Sequence, residues 1–200
     1  MAIEAYQPFL KKVLHRYSLV GDESVQLLAS ISKVQYLEKG QKLLQIGEIS
    51  KHKHILVEGA IVSTFVNSDG NFYHKNIFLQ GDFVGSMVSA VTQEPSHFAL
   101  EAIEPSTIIS FNFKEYRQLI DAHPDLKNFY ISYLEKNWVI DKEKREIDIV
   151  LKNAGERYLE FITAHPKIEQ RIPLHYIASH LGITATQLSR IRKDVKGNLD

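Results

Sequence analysis

The chain contains no cysteine. That absence excludes a disulfide scaffold, a thiolate zinc site and a Cys-ligated iron–sulfur cluster. No apolar run reaches the roughly 18 residues that a membrane-spanning helix needs. The opening MAIEAYQPFLKK lacks the basic-then-apolar order of a signal peptide. Net charge is lacking too. The 24 Lys and Arg are matched by 24 Asp and Glu, so the total charge names no partner. Gly-x-Ser-x-Gly, the P-loop and His-Glu-x-x-His do not occur, and no nucleophile–base set stands out. The expectation is a cytoplasmic protein that is not an enzyme and has no membrane segment, no metal and no cofactor.

What is present changes character along the chain. Two hundred residues with 44% apolar content suffice for a sizeable core. Residues 1–33 carry helical spacing through Phe9, Val13, Leu14, Val25, Leu28 and Ile31. From Val34 to Asn112 short segments rich in β-branched and aromatic residues alternate with Gly40, Gly47, Gly59, Gly70 and Gly81. The last three gaps are 12, 11 and 11 residues, a turn spacing that predicts a small all-β sandwich or barrel. NSDGN, Asn67 to Asn71, between AIVSTFV and FYHKNIFL, reads as a hairpin. KHKH, Lys51 to His54, reads as a solvated turn, because no Asp, Glu or Cys stands at metal-ligand spacing.

From Lys114 onward the pattern is helical again. Pro124 suits a first helical position, and Gly155 is the next breaker, which predicts one long helix. Leu126, Tyr133, Ile140 and Ile147 recur by sevens, with Tyr130 and Leu151 on the same face. Such a stripe predicts a homodimer seam, while Phe129, Ile131, Leu134 and Trp138 add apolar surface for contact with the barrel. The mixed charges of EKNWVIDKEKREID, Glu135 to Asp148, read as the solvated side of that helix.

The stretch IASHLGITATQLSRIRK, Ile177 to Lys193, has apolar residues at Leu174, Ile177, Leu181, Ile183, Leu188 and Ile191, a small Ala178, and Gly182 between two helical runs. This is helix-turn-helix spacing, in which glycine turns the corner and Thr184 caps the second helix. Arg171 to Lys196 holds five Lys or Arg and one Asp, a local charge of +4. The second helix, from Thr184 to about Lys193, then faces duplex DNA, with Arg192 and Lys193 toward phosphates. The competing reading is a β-roll module that binds a small molecule or a protein, with terminal helices that serve assembly alone.

The order of parts resembles the Crp/Fnr family of transcription regulators. GDFVGSM, Gly81 to Met87, is similar to the start of that family's phosphate-binding cassette. FKEYRQLIDAHPDL is similar to its helix before the dimer helix, and IPLHYIASHLGITATQLSRIRK to its DNA-reading segment, in the variant of Bacteroidetes-type members. The resemblance implies an α+β protein. A jelly-roll-like double-stranded β-helix with flanking helices forms a sensor over residues 1–122, a dimerisation helix follows over 123–151, and a winged-type helix-turn-helix with a reduced or absent wing occupies 152–200. It implies double-stranded DNA carrying an inverted repeat, a second copy of the chain, RNA polymerase and a small-molecule effector as partners. The resemblance puts the effector pocket on Gly81, Phe83, Val84, Gly85, Ser86, Met87, Ser96 and His97, and it turns Ala185, Thr186, Gln187, Ser189 and Arg190 of the DNA-reading helix toward the groove. Three features of the cyclic-AMP-binding members are missing. Ser86 stands where they carry Glu, Pro95 where they carry the phosphate-binding Arg, and Asp141 with Lys142 where a Thr-Ser pair meets adenine. The expected effector is therefore something other than cyclic AMP, or none. Only DVKGNLD remains for a wing.

Overall fold

The structure, a computed structural model, describes residues 2–67, 69–70 and 72–197. Two helices, α1 (Gln7–Leu14) and α2 (Asp22–Ser30), lead into eight strands. These are β1 (Ser32–Leu37), β2 (Lys42–Leu44), β3 (His52–Glu58), β4 (Ile61–Val66), β5 (Phe72–Phe78), β6 (Phe83–Val84), β7 (Ala99–Ala102) and β8 (Ser106–Asn112), with helix α3 (Met87–Thr92) between β6 and β7. They form two antiparallel four-stranded sheets, ordered β1-β8-β3-β6 and β2-β7-β4-β5. The hairpin expected at NSDGN joins β4 to β5, although Ser68 and Asn71 themselves lie outside the described residues.

Strand alternation sorts the core into three layers. Leu56, Ile61, Leu100 and Ile108 point between the sheets. Their neighbours Ile55, Ile109 and Phe111 point outward, against α1, α2, and the helices α4 (Phe113–Ala122) and α5 (Pro124–Leu134). On the other sheet Ala60 and Val62 point outward against the C-terminal helices. Those are α7 (Ala154–Ala164), α8 (Ile168–Arg171), α9 (Leu174–His180) and α10 (Ala185–Gly197).

The long helix is one continuous rod, but not one continuous α-helix. After α5 a π-helical segment spans Glu135–Ile140, and α6 (Asp141–Leu151) follows. A π turn carries more residues per turn than an α turn, so the sevenfold spacing of the sequence does not keep one face across it. Leu126, Tyr130 and Tyr133 are buried in the chain's own core, Leu126 completely. The stripe read as a dimer seam is therefore corrected for these three, since a side chain covered by its own roll has no surface left for a partner. Ile140 and Ile147 are 56% and 47% exposed. The charge run is likewise not one solvated side, because α6 has no buried residue at all.

KHKH is also corrected. It is not a solvated turn. β3 begins at His52, and Lys53 and His54 are buried. The tail expected to hold a reduced wing continues α10 as far as Gly197, and residues 198–200 lie outside the described residues.

Candidate effector site and nucleic-acid interface

The cassette segment folds around backbone needs. Gly81 adopts φ +86°, and a Cβ there would fall on the guanidinium of Arg16, whose Nη1 donates to the Gly81 carbonyl at 3.2 Å. Phe83 packs outward with the helices, whereas Val84 points between the sheets. Ser86 and Ser96 come together and close on each other. Ser96 Oγ donates to Ser86 Oγ at 3.0 Å, and both are buried. Met87 packs among the helices and His97 is exposed. None of these residues lines the cavity of about 540 Å³ found in the roll.

That cavity lies over β3 and β8. His52, His54, Gln35 and Ser110 form one wall, and Leu43, Leu44, Ile49 and Leu100 form the other. His54 is paired with Ser110 on one side and with Val84 of β6 on the other. It is only 6% exposed, and its Nδ1 has no hydrogen-bond partner among the described residues. Burial pushes its pKa down to about 3, with the nearby His52 and Lys53 adding to the shift. The imidazole is thus neutral at physiological pH. No single-residue pattern in the sequence marked it, because period-two alternation is visible only once the segment is known to be a strand.

Lys53 points the other way. Its Nζ donates to the Tyr133 hydroxyl at 3.2 Å and lies 3.8 Å from Met87 Sδ. It stands 4.4 Å above the Tyr133 ring and 5.3 Å from that of Phe83. Burial without a carboxylate partner pushes its pKa from 10.5 down to about 7. One lysine thereby joins β3, the cassette and α5.

At the C-terminal end, α9 and α10 meet at a corner. Gly182 has φ +70°, the left-handed conformation that ends α9. Thr184 Oγ1 accepts from the Gln187 N–H at 3.1 Å, and Gln187 Oε1 accepts from the Thr184 N–H at 2.8 Å. This reciprocal box fixes the start of α10. It also occupies the Gln187 carbonyl oxygen, which base reading requires. Ile177, Ala178 and Leu188 are buried at the crossing. Ala185, Thr186, Ser189, Arg190 and Lys193 are exposed. Two of the basic residues have partners within the chain. Arg192 is 2.6 Å from a Glu169 carboxylate oxygen that also accepts from the Tyr158 hydroxyl at 2.8 Å. Arg171 pairs with Glu104 and donates to the Gly59 carbonyl at 3.3 Å. The C-terminal helices are further held to β5, where the His74 N–H donates to Ser179 Oγ at 2.8 Å and the His74 ring lies 4.5 Å from that of Tyr176.

This arrangement of two sheets, cassette and flanking helices has relatives. Residues 34–123 match the cyclic nucleotide-binding domain family. The chain is similar in fold to the c-di-GMP responsive global regulator CLP from Xanthomonas campestris. The TM-score is 0.68 at 13% identity, over 89% of this chain and 93% of that one. It is also similar to FixK2 from Bradyrhizobium japonicum, with a TM-score of 0.65 at 17% identity over 84% and 86% of the two chains. A cyclic nucleotide-binding domain from Methylobacillus flagellatus KT gives 0.62 at 18% identity, over 75% of this chain and 84% of that one. At these identities the likeness is one of fold. No curated protein matches the chain by sequence.

Proposed function

We propose that the protein is a homodimeric transcription regulator of the Crp/Fnr type that binds an inverted repeat in duplex DNA and responds to an effector other than cyclic AMP. Residues 1–122 act as sensor, 123–151 as dimerisation helix and 152–200 as DNA-binding unit. The observation that carries this is the capped start of α10, which leaves Ala185, Thr186, Ser189, Arg190 and Lys193 exposed beside a buried Leu188. A helix with one anchored face and one polar, partly basic face fits the major groove. Arg190 suits guanine, and Lys193 suits phosphate. Arg192 is assigned to holding Glu169 rather than DNA. The dimer seam is assigned to the second half of the long helix, through Ile140 and Ile147. Ser86 and Ser96, engaged with each other, and Pro95 where the phosphate-binding Arg stands in cyclic-AMP-binding members, support poor binding of a cyclic phosphate.

Fluorescence anisotropy on sequences selected from a random pool tests the reading. Arg190→Ala costs about 1–3 kcal/mol on the selected site and relaxes one base position per half-site. Lys193→Ala weakens all duplexes alike and flattens the salt dependence. Absence of salt-dependent binding to any duplex would leave the β-roll module as the better reading.

A further inference from the structure

The cavity over β3 and β8 is a candidate ligand site lined by none of the cassette residues Gly81 to Met87, and its walls state what it takes. We propose that it binds a small, uncharged, hydroxyl-bearing organic molecule with an otherwise apolar body. The proposal rests on the sensor reading and deepens it by naming where and what the effector is.

The body is set by Leu43, Leu44, Ile49 and Leu100, and the head by His54, Gln35 and Ser110 on the facing wall. A volume of about 540 Å³ is in the range of pockets that enclose small ligands. Imidazole, amide and serine hydroxyl each donate and each accept, so a hydroxyl group, which does both, can pair with any of them in either tautomer of His54. His54 Nδ1 is unpaired among the described residues but is itself covered by protein, so His54 meets a ligand through the rest of its ring, beside Gln35 and Ser110. The inner wall holds no fixed charge to neutralise an anion or a cation. Glu48 and Lys51, the two charged lining residues, are exposed and opposite in sign. The cavity is also wired to the rest of the molecule. His54 pairs with Val84 of the cassette strand, and the next residue, Lys53, touches Met87 and Tyr133 from the opposite face of β3.

Three probes that differ only in head group test this on the full chain: cyclohexanol, cyclohexanecarboxylate and cyclohexylamine. Binding is read by saturation-transfer NMR and by the shift of the His54 ring resonances, without DNA. Cyclohexanol is expected to bind about tenfold tighter than either charged probe. His54→Leu, which removes an unpaired polar atom and so keeps the fold, is expected to weaken the alcohol by about fivefold or more. Gln35→Trp, at an exposed wall position, is expected to block it. Leu19→Ala, at an exposed position outside the lining, is expected to leave it unchanged. Equal binding of all three probes, no signal from cyclohexanol at its solubility limit, or full binding by a folded His54→Leu protein would each overturn the proposal. DNA anisotropy without probe is a separate measurement. A protein that binds the alcohol but no DNA would refute the regulator reading and leave this site standing.

Discussion

The two halves of the long helix start from similar sequence patterns and end in opposite environments. In α5 the residues Leu126, Phe129, Tyr130 and Tyr133 are buried under α1, α2 and the outer sheet face. In α6 nothing is buried: Ile147, Ile149, Val150 and Leu151 are all exposed, as is Ile140 at the end of the π segment before it. What keeps α6 helical without a core is charge spacing. Lys142–Glu146, Lys144–Asp148 and Lys152–Asp148 are i,i+4 pairs, each worth only a few tenths of a kcal/mol. A heptad stripe therefore states that a helix has an apolar face; it does not say which neighbour covers it. The π segment between the halves is where the covering changes.

The largest test of this contrast compares truncations in the two halves. Phe129→Ala removes a fully buried ring and is expected to cost about 3–5 kcal/mol. Ile147→Ala is expected to change monomer stability by less than about 0.5 kcal/mol. Urea unfolding checks both, with Ile147→Ala measured in an Ile140→Glu background, which sedimentation should show to be monomeric. A large stability loss from Ile147→Ala in that monomer would mean that α6 packs on its own chain.

A smaller effect is expected where β3 meets α5. Lys53 has a folded pKa near 7 against an ordinary 10.5. Between those values the unfolded chain holds a proton that the folded chain has released, so stability rises with pH across that window. Below pH 7 both states carry the proton, and the folded state bears the full cost of a buried, unpaired ammonium. Lys53→Met is therefore expected to stabilise the protein at pH 7 by about 1–3 kcal/mol. The advantage should shrink as pH rises from about 7 toward 10. Thermal unfolding at several pH values measures it. A pH-independent difference between the two proteins would rule out titration of Lys53 as the cause.

Much of this architecture was legible in the sequence, for reasons that differ by region. Glycine spacing exposed the β segment because turns with positive φ recur there, at Gly59, Gly70 and Gly81. Gly182 and Thr184 were legible as a corner and a cap, since both act locally. The cavity and the lysine cage were not. Lys53 and His54 are polar residues in a KHKH run, and only the strand's alternation and its place between two layers bury them. The partners of Arg192 and Arg171 were hidden for a related reason. Glu169 and Glu104 come from other elements, and charge counting along one segment cannot see them. The π segment has no Pro or Gly to announce it.

The smallest expected effect concerns that segment itself. A π turn shifts the backbone hydrogen bonds and leaves a carbonyl in need of a donor. Here Asn137 Nδ2 donates to the Tyr133 carbonyl at 2.8 Å, one residue before α5 ends. Tyr133 is also the residue whose ring and hydroxyl meet Lys53. The side chain of Asn137 thus holds the point at which the covered half gives way to the exposed one. Asn137→Ala is expected to cost about 0.5–1.5 kcal/mol and to raise amide exchange around Glu135–Ile140 more than in α6. Deleting Asn137 outright is the sharper test. One residue fewer turns α6 by about 100° relative to α5, which would move Ile140 and Ile147 off their present face while leaving the buried half in place. If the deletion left the affinity of the proposed dimer untouched, the seam could not run through Ile140 and Ile147, and the contrast between the two halves would not mark where a second copy binds.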